Sequence, residues 1–287
     1  MLALLLASLL TAPPDDIFQM NNLVAWCVVP FDSKNRLPPE RVAMLKTLGF
    51  TRLAYDWRDK HLPTLELELK HCIDQGIRMQ AVWFPDRINF EAKWILEVLE
   101  RNKTICELWV NLPEPVGEKD EEKVQAAIQH LKPLVDAASK IGCTICLYNH
   151  GGWIGEPKNQ LAILKAFDAN KIGVIYNLHH GHHHLDKFAE VLKQLKPYLK
   201  CITLNGMIPD GDKKGKKIIP VGAGSEDLKL LKMIRDSGYT GPIAILGHDH
   251  TVDVEERLRD NLDGLNWLKA QLNGSHAGPM PKWRSYK

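Results

Sequence analysis

The segment Lys171–Asn205, KIGVIYNLHHGHHHLDKFAEVLKQLKPYLKCITLN, passes from a short β-branched run through a histidine-rich turn and an amphipathic stretch into a second β-branched run. Gly173–Asn177 and Cys201–Asn205 read as strands, being short, apolar and rich in Val, Ile, Tyr and Thr. Between them, Leu185–Leu199 sets Leu185, Phe188, Val191, Leu192 and Leu195 at three- and four-residue spacing, the pattern of one helix face. Strand, helix and strand in that order form the βαβ unit of a parallel sheet.

The same alternation extends in both directions. Strands are expected at Leu23–Val29, Arg52–Asp56, Arg78–Phe84, Glu107–Asn111, Thr144–Asn149 and Pro242–Leu246 as well. Helices are expected at Pro39–Leu48, Thr64–Gln75, Phe90–Arg101, Glu121–Lys140, Asn159–Asp168, Ser225–Ser237 and Val252–Leu272. Pro38-Pro39 opens the first helix, Pro63 precedes the second, and Ser225-Glu226-Asp227 is a cap for the seventh. Eight strand-helix units close into one (β/α)8 TIM barrel, which leaves no edge strand. An open dinucleotide-binding sheet fits less well, because Trp26-Cys-Val-Val-Pro30 stands where its Gly-rich turn would follow the first strand.

The 287 residues, 45% of them apolar, can bury a large core, and a barrel over residues 20–287 uses nearly all of them. Net charge is only +2, far from the basic excess of a nucleic-acid binder, so a small neutral or weakly anionic partner is expected, which the strand ends below make a small-molecule carbohydrate, and nucleic acid is not. Residues 1–19 contain the apolar run Leu2–Leu10, too short to span a bilayer stably but similar to a signal-peptide core. An extracytoplasmic location follows if that run is a signal peptide, and a cytoplasmic one otherwise; Met20 is an alternative start, and a homo-oligomer is left open. The six cysteines read as buried thiols, and Cys143 and Cys146 point to opposite faces of one strand, unlike a zinc knuckle.

Active sites of such barrels lie at the C-terminal strand ends. There the sequence places Trp26, Asp56 with Trp57 and Arg58, Trp83 and Asp86, Asn111 with Glu114, Asn149 and His150, Asn177 with His179 and His180, Asn205, and His248 with Asp249, with Trp153 just beyond the fifth strand. Amides suit hydroxyl groups, and indoles suit the face of a sugar ring. His180 and His150 are the candidates for acid/base work; Asn177, Asn205, Asn149, Asn111, Trp26, Trp83, Trp153 and Asp56 are the candidates for substrate binding. Asp56 and Asp249 are also read either as general bases or as pairing and capping groups. His150, His180, His182 and His248 are candidate ligands for one divalent ion, Zn²⁺ or Mn²⁺, with no other cofactor expected. Lys213–Lys217 reads as a solvated loop or a cationic lid, and Val221-Gly-Ala-Gly-Ser225 as a weak anion site at a helix start.

The segments Tyr148-Asn-His-Gly-Gly-Trp153, Asn177-Leu-His-His180, Thr203-Leu-Asn-Gly-Met207, Val221-Gly-Ala-Gly224 and Gly247-His-Asp249 resemble strands five to eight of the xylose-isomerase-like TIM barrels. That family includes sugar isomerases and epimerases and the endonuclease IV type of nuclease. The resemblance implies isomerisation, epimerisation or β-elimination by proton abstraction beside a sugar carbonyl. It also implies a divalent metal held by Glu, Asp, His and Glu from those four strands, at positions occupied here by Tyr148, Asn177, Thr203 or Asn205, and Gly247 or His248. No carboxylate stands at any of them, which disfavours a hard cation and a nuclease. His180 matches the family's substrate-facing histidine. A non-catalytic sugar-binding protein on the same scaffold is the alternative.

Overall fold

The computed structural model describes residues 16–286, so the Leu2–Leu10 run lies outside the described residues. Eight parallel strands close in chain order, β1 (Leu23–Trp26), β2 (Arg52–Tyr55), β3 (Arg78–Phe84), β4 (Glu107–Val110), β5 (Thr144–Tyr148), β6 (Ile172–Asn177), β7 (Leu199–Leu204) and β8 (Ile243–Leu246). Pairing of Leu23 with Ile243 through Trp26 with Leu246 joins first to last. The outer ring is α1 (Pro38–Thr47), α2 (Leu65–Asp74), α3 (Phe90–Arg101), α4 (Asp120–Lys140), α5 (Pro157–Leu164), α6 (Phe188–Leu195), α7 (Asp227–Asp236) and α8 (Val254–Leu272). The expected (β/α)8 barrel is the architecture found.

Alternation along each strand divides the apolar residues between two cores. Leu23, Ala25, Leu53 and Tyr55 pack outward under the helices, whereas Val24, Trp26, Ala54, Ala81, Trp109, Cys146, Ile175 and Cys201 fill the barrel interior. Trp109 fits there because its indole N–H donates to Glu107 at 2.8 Å. The cysteines follow the same division, all six free and buried, with Cys143 in the outer core and Cys146 in the inner. Asn89 caps α3 by accepting the Ala92 N–H, and Asp253 caps α8 by accepting that of Glu255.

Two expected boundaries shift for local reasons. The first strand, read through Val29, stops at Trp26 because Cys27 turns into the left-handed region at φ 54°. The sixth helix, read from Leu185 to Leu199, is α6 preceded by a 3-10 turn at His182–Lys187, and Leu199 already belongs to β7. Phe18, ahead of the boundary read at residue 20, is 2% exposed and part of the outer core.

Candidate active site

At the C-terminal mouth of the barrel is a cavity of about 640 Å³. Its floor is aromatic: Trp26 packs edge-on against Trp109 with ring centres 4.6 Å apart, and Trp83 packs edge-on against Tyr148 at 5.0 Å. The Trp26 indole N–H reaches the Tyr148 hydroxyl at 3.4 Å. These rings stand at the ends of β1, β3, β4 and β5 with inward register, so they close the barrel interior below the cavity.

One wall is made of imidazoles. His150 and His180 have ring centres 4.6 Å apart, His180 and His179 are 3.9 Å apart, and His248 stacks on Phe31 at 3.9 Å. Burial, reinforced by mutual repulsion with His150 and by Lys217, pushes His180 down to about 3. Burial also depresses His150, His179 and His248, so all four rings stay neutral at neutral pH.

Asp56 lines the same cavity from the end of β2. Its Oδ1 accepts the amide N–H groups of Val28 and Val29, both at 3.2 Å, which the turn at Cys27 brings over β2. Its Oδ2 is buried without a hydrogen-bond partner. Burial raises the Asp56 carboxyl to about 7, against the opposing pull of the Val29 and Val28 amides and Arg58. Trp57 and Arg58 continue the cavity rim, and Lys217 and Ile218 cover part of it from the β7–α7 loop.

The candidates read from the strand ends separate into two groups. Trp26, Trp83, Asp56, His150, His180 and His248 all line the cavity. The amides do not. Asn149 and Asn177 bind each other: the Asn177 backbone N–H donates to Asn149 Oδ1 at 2.7 Å, and Asn149 Nδ2 donates to the Asn177 carbonyl at 3.2 Å. Asn205 donates to the carbonyls of Gly206 and Lys217, both at 2.8 Å, and so anchors the loop that carries Lys217. Asn111 is half-buried at the end of β4, outside the lining. Trp153 also lies outside it, its indole N–H on Asp120 Oδ1 at 2.7 Å.

His182 is turned away as well, with Nε2 on the Lys217 carbonyl at 3.1 Å. The pairing role, not the base role, holds for Asp249: partial burial works against ionisation, but bonds from Thr251 and Arg257 keep its carboxyl below the usual range. The expected anion site at Val221–Ser225 is filled from within, since Asp227 accepts the amides of Met207, Gly222 and Gly224 at 2.6, 2.7 and 3.0 Å. Trp57, Arg58 and His179, read at the strand ends without an assigned role, and Lys217, read in the basic loop, also line the cavity. Phe31 is the lining residue that sequence reasoning missed. Phe31 follows a turn that strand periodicity gave no reason to place there.

The residues at the family's metal positions do not fit a hard divalent ion. Tyr148 is engaged with Trp26, Asn177 with Asn149, and Thr203 is fully buried in β7. The cavity imidazoles do not bring three donor atoms within 4.8 Å of one another; among the described residues only Glu156, His183 and His184 do so.

A family model described as xylose isomerase-like TIM barrel matches residues 95–271. No curated protein matches the sequence. Among solved structures, a xylose isomerase-like TIM barrel/4-hydroxyphenylpyruvate dioxygenase fusion protein aligns with a TM-score of 0.66 at 16% identity over 88% of this chain, which spans 44% of that longer protein. The 3-keto-D-glucoside 4-epimerase YcjR from E. coli, in apo form, aligns at 0.61 and 15% identity, covering 87% of this chain and 99% of its own. The IOLI protein with a bound zinc atom aligns at 0.68 and 14%, covering 88% and 99%. At such identities these neighbours establish the fold. With the family model covering more than half of the sequence, the chain belongs to the xylose isomerase-like TIM barrels.

Proposed function

We propose that the cavity binds a sugar or sugar-derived carbonyl compound and moves a proton at the carbon beside its carbonyl, giving isomerisation, epimerisation or β-elimination. The carrying observation is Asp56, a buried carboxyl with one free oxygen and a pKa of about 7, in one cavity with four neutral imidazoles over an aromatic floor. A base ionising near working pH transfers protons most effectively. An imidazole held near 3, like His180, is a poor base but a good neutral N–H donor. The division of labour is therefore Asp56 taking the carbon-bound proton while His150 or His180 donates to the developing enolate oxygen. Trp26 and Trp83 offer apolar faces to the ring, and Arg58 and Lys217 add positive charge at the rim.

Similarity to an epimerase acting on a 3-keto-glucoside supports this substrate class. No step here runs through a metal. Incubation with a panel of aldoses and keto-sugars in D₂O, followed by NMR, tests the reading. Deuterium is expected beside the carbonyl of at least one sugar and is lost in Asp56→Asn. Sugars that bind but never exchange would sink catalysis and leave a carbohydrate-binding protein, a second reading favoured by the absence of carboxylates at the family's metal positions.

We further propose that the Leu2–Leu10 run directs export, which favours free sugars or glycosides over sugar phosphates. Residues 1–19 fused to a secretion reporter should carry it out of the cytoplasm, and retention would refute this.

A further inference from the structure

We propose a second site, outside the cavity, at which Glu156, His183 and His184 hold one divalent transition ion of the Zn²⁺ kind. One ligand atom from each of these residues lies within 4.8 Å of the others. His183 Nε2 is 2.8 Å from Glu156 Oε1, and His184 Nε2 is 3.1 Å from Oε2. The three come from two connections. Glu156 is the residue just before α5, and the histidines occupy the 3-10 turn ahead of α6.

Two imidazoles and one carboxylate form a common zinc donor set, with a fourth position left for water. His183 and Glu156 keep 53% and 39% of their side-chain surface exposed, so water and ion can reach the site. Behind the ligands, the buried Tyr176 hydroxyl contacts His184 Nδ1 at 2.9 Å. Such an outer partner fixes the ring so that Nε2 faces the ion, and a phenol serves this purpose because its oxygen accepts a hydrogen bond from Nδ1–H once Nε2 binds metal. A Cβ on Gly181 would collide with that hydroxyl, so glycine there leaves the phenol free to reach the imidazole. Bound metal would fasten the β5–α5 connection to the segment just after His179 and His180, and so stiffen the imidazole wall of the cavity. Without metal the same groups form an ordinary hydrogen-bonded carboxylate–histidine cluster.

The test is zinc titration of the untagged full-length chain, stripped with chelator, against a competing chromophoric chelator. One ion per chain is expected, and it should raise the melting temperature of the wild type. His183→Ala, a substitution at an exposed side chain, and Glu156→Gln should each abolish stoichiometric binding. Tyr176→Phe should weaken it by about 10-fold or more, while His150→Ala and His180→Ala leave it unchanged. Circular dichroism of each variant checks that the fold is retained. The site is refuted if the wild type takes up no stoichiometric zinc, if binding survives both His183→Ala and Glu156→Gln, or if it is lost with the cavity histidines instead.

Discussion

Asp56 Oδ1 is committed to the Val28 and Val29 amides, and Oδ2 is buried without a partner, so Oδ2 is the atom that would take the proton in the proposed reaction. The carboxyl titrates near 7 in the folded protein against 3.8 ordinarily, so the folded protein retains a proton that the unfolded chain has lost between those values. Stability from this group therefore falls as pH rises from about 4 to about 7 and is flat above. The depressed cavity histidines work in the opposite sense up to about pH 6.5, so the contribution of Asp56 is read as a difference between variants. Relative to wild type, Asp56→Asn, which preserves the two accepted bonds, should shift the change in melting temperature from pH 5 to pH 8 in the upward direction; an unchanged pH profile would place the titration elsewhere. The same variant should lose about 100- to 10,000-fold in kcat/KM, and wild-type activity should rise with pH through about 7 as the base ionises. That Asp56, His150, His180, Trp26 and Trp83 share one cavity was legible because strand ends in a barrel share one face. The asparagines at the same strand ends were misread, because an amide beside another amide across two strands satisfies itself. Sequence position does not reveal that Asn149 and Asn177 meet. Glu156 was invisible for the related reason that its partners lie on a different connection.

At the scale of elements, the strand-helix count was legible because buried parallel strands are short β-branched runs and helices carry a 3.6-residue stripe. Arg78–Phe84 and Phe90–Arg101 have the boundaries that their residues predict. The ends of elements depended on local geometry with weaker signals: a left-handed cysteine after β1 and a 3-10 turn before α6. The β7–α7 connection is the clearest case. Its Gly-Ala-Gly segment was read as open to an anion, yet Asp227 supplies the anion from the chain itself. Burial pushes this carboxyl up to about 7 despite its three amide donors. Asp227→Ala leaves those donors unpaired and should cost about 2–4 kcal/mol in urea denaturation. The loop bearing Lys217 should loosen with it, seen as faster amide exchange from Gly206 to Gly224. A cost below about 1 kcal/mol would mean that water replaces the carboxylate freely.

For the whole molecule, closing a sheet into a barrel places the first and last strands side by side, and α8 flanks that seam. Both ends of the described chain clasp α8. Lys269 on α8 reaches Asp16 at 2.7 Å and the Phe18 carbonyl at 3.2 Å. On the other side, the fully buried Asp260 accepts the backbone N–H groups of Arg284 and Ser285, the Arg284 guanidinium at 3.0 Å and the Ser285 hydroxyl at 2.8 Å. A carboxylate with no solvent exposure is tolerable only while these donors cover it. Deleting residues 280–287 should therefore lower stability by about 1–3 kcal/mol, the cost being limited by water that reaches Asp260 once the strap is gone. Asp260→Asn in the full chain should reproduce most of the loss, because the donors then face a neutral amide. The two changes combined should cost little more than either alone, since they break one shared network. Urea denaturation of the three variants measures this, and full additivity would show that the C-terminal strap is held by contacts other than Asp260.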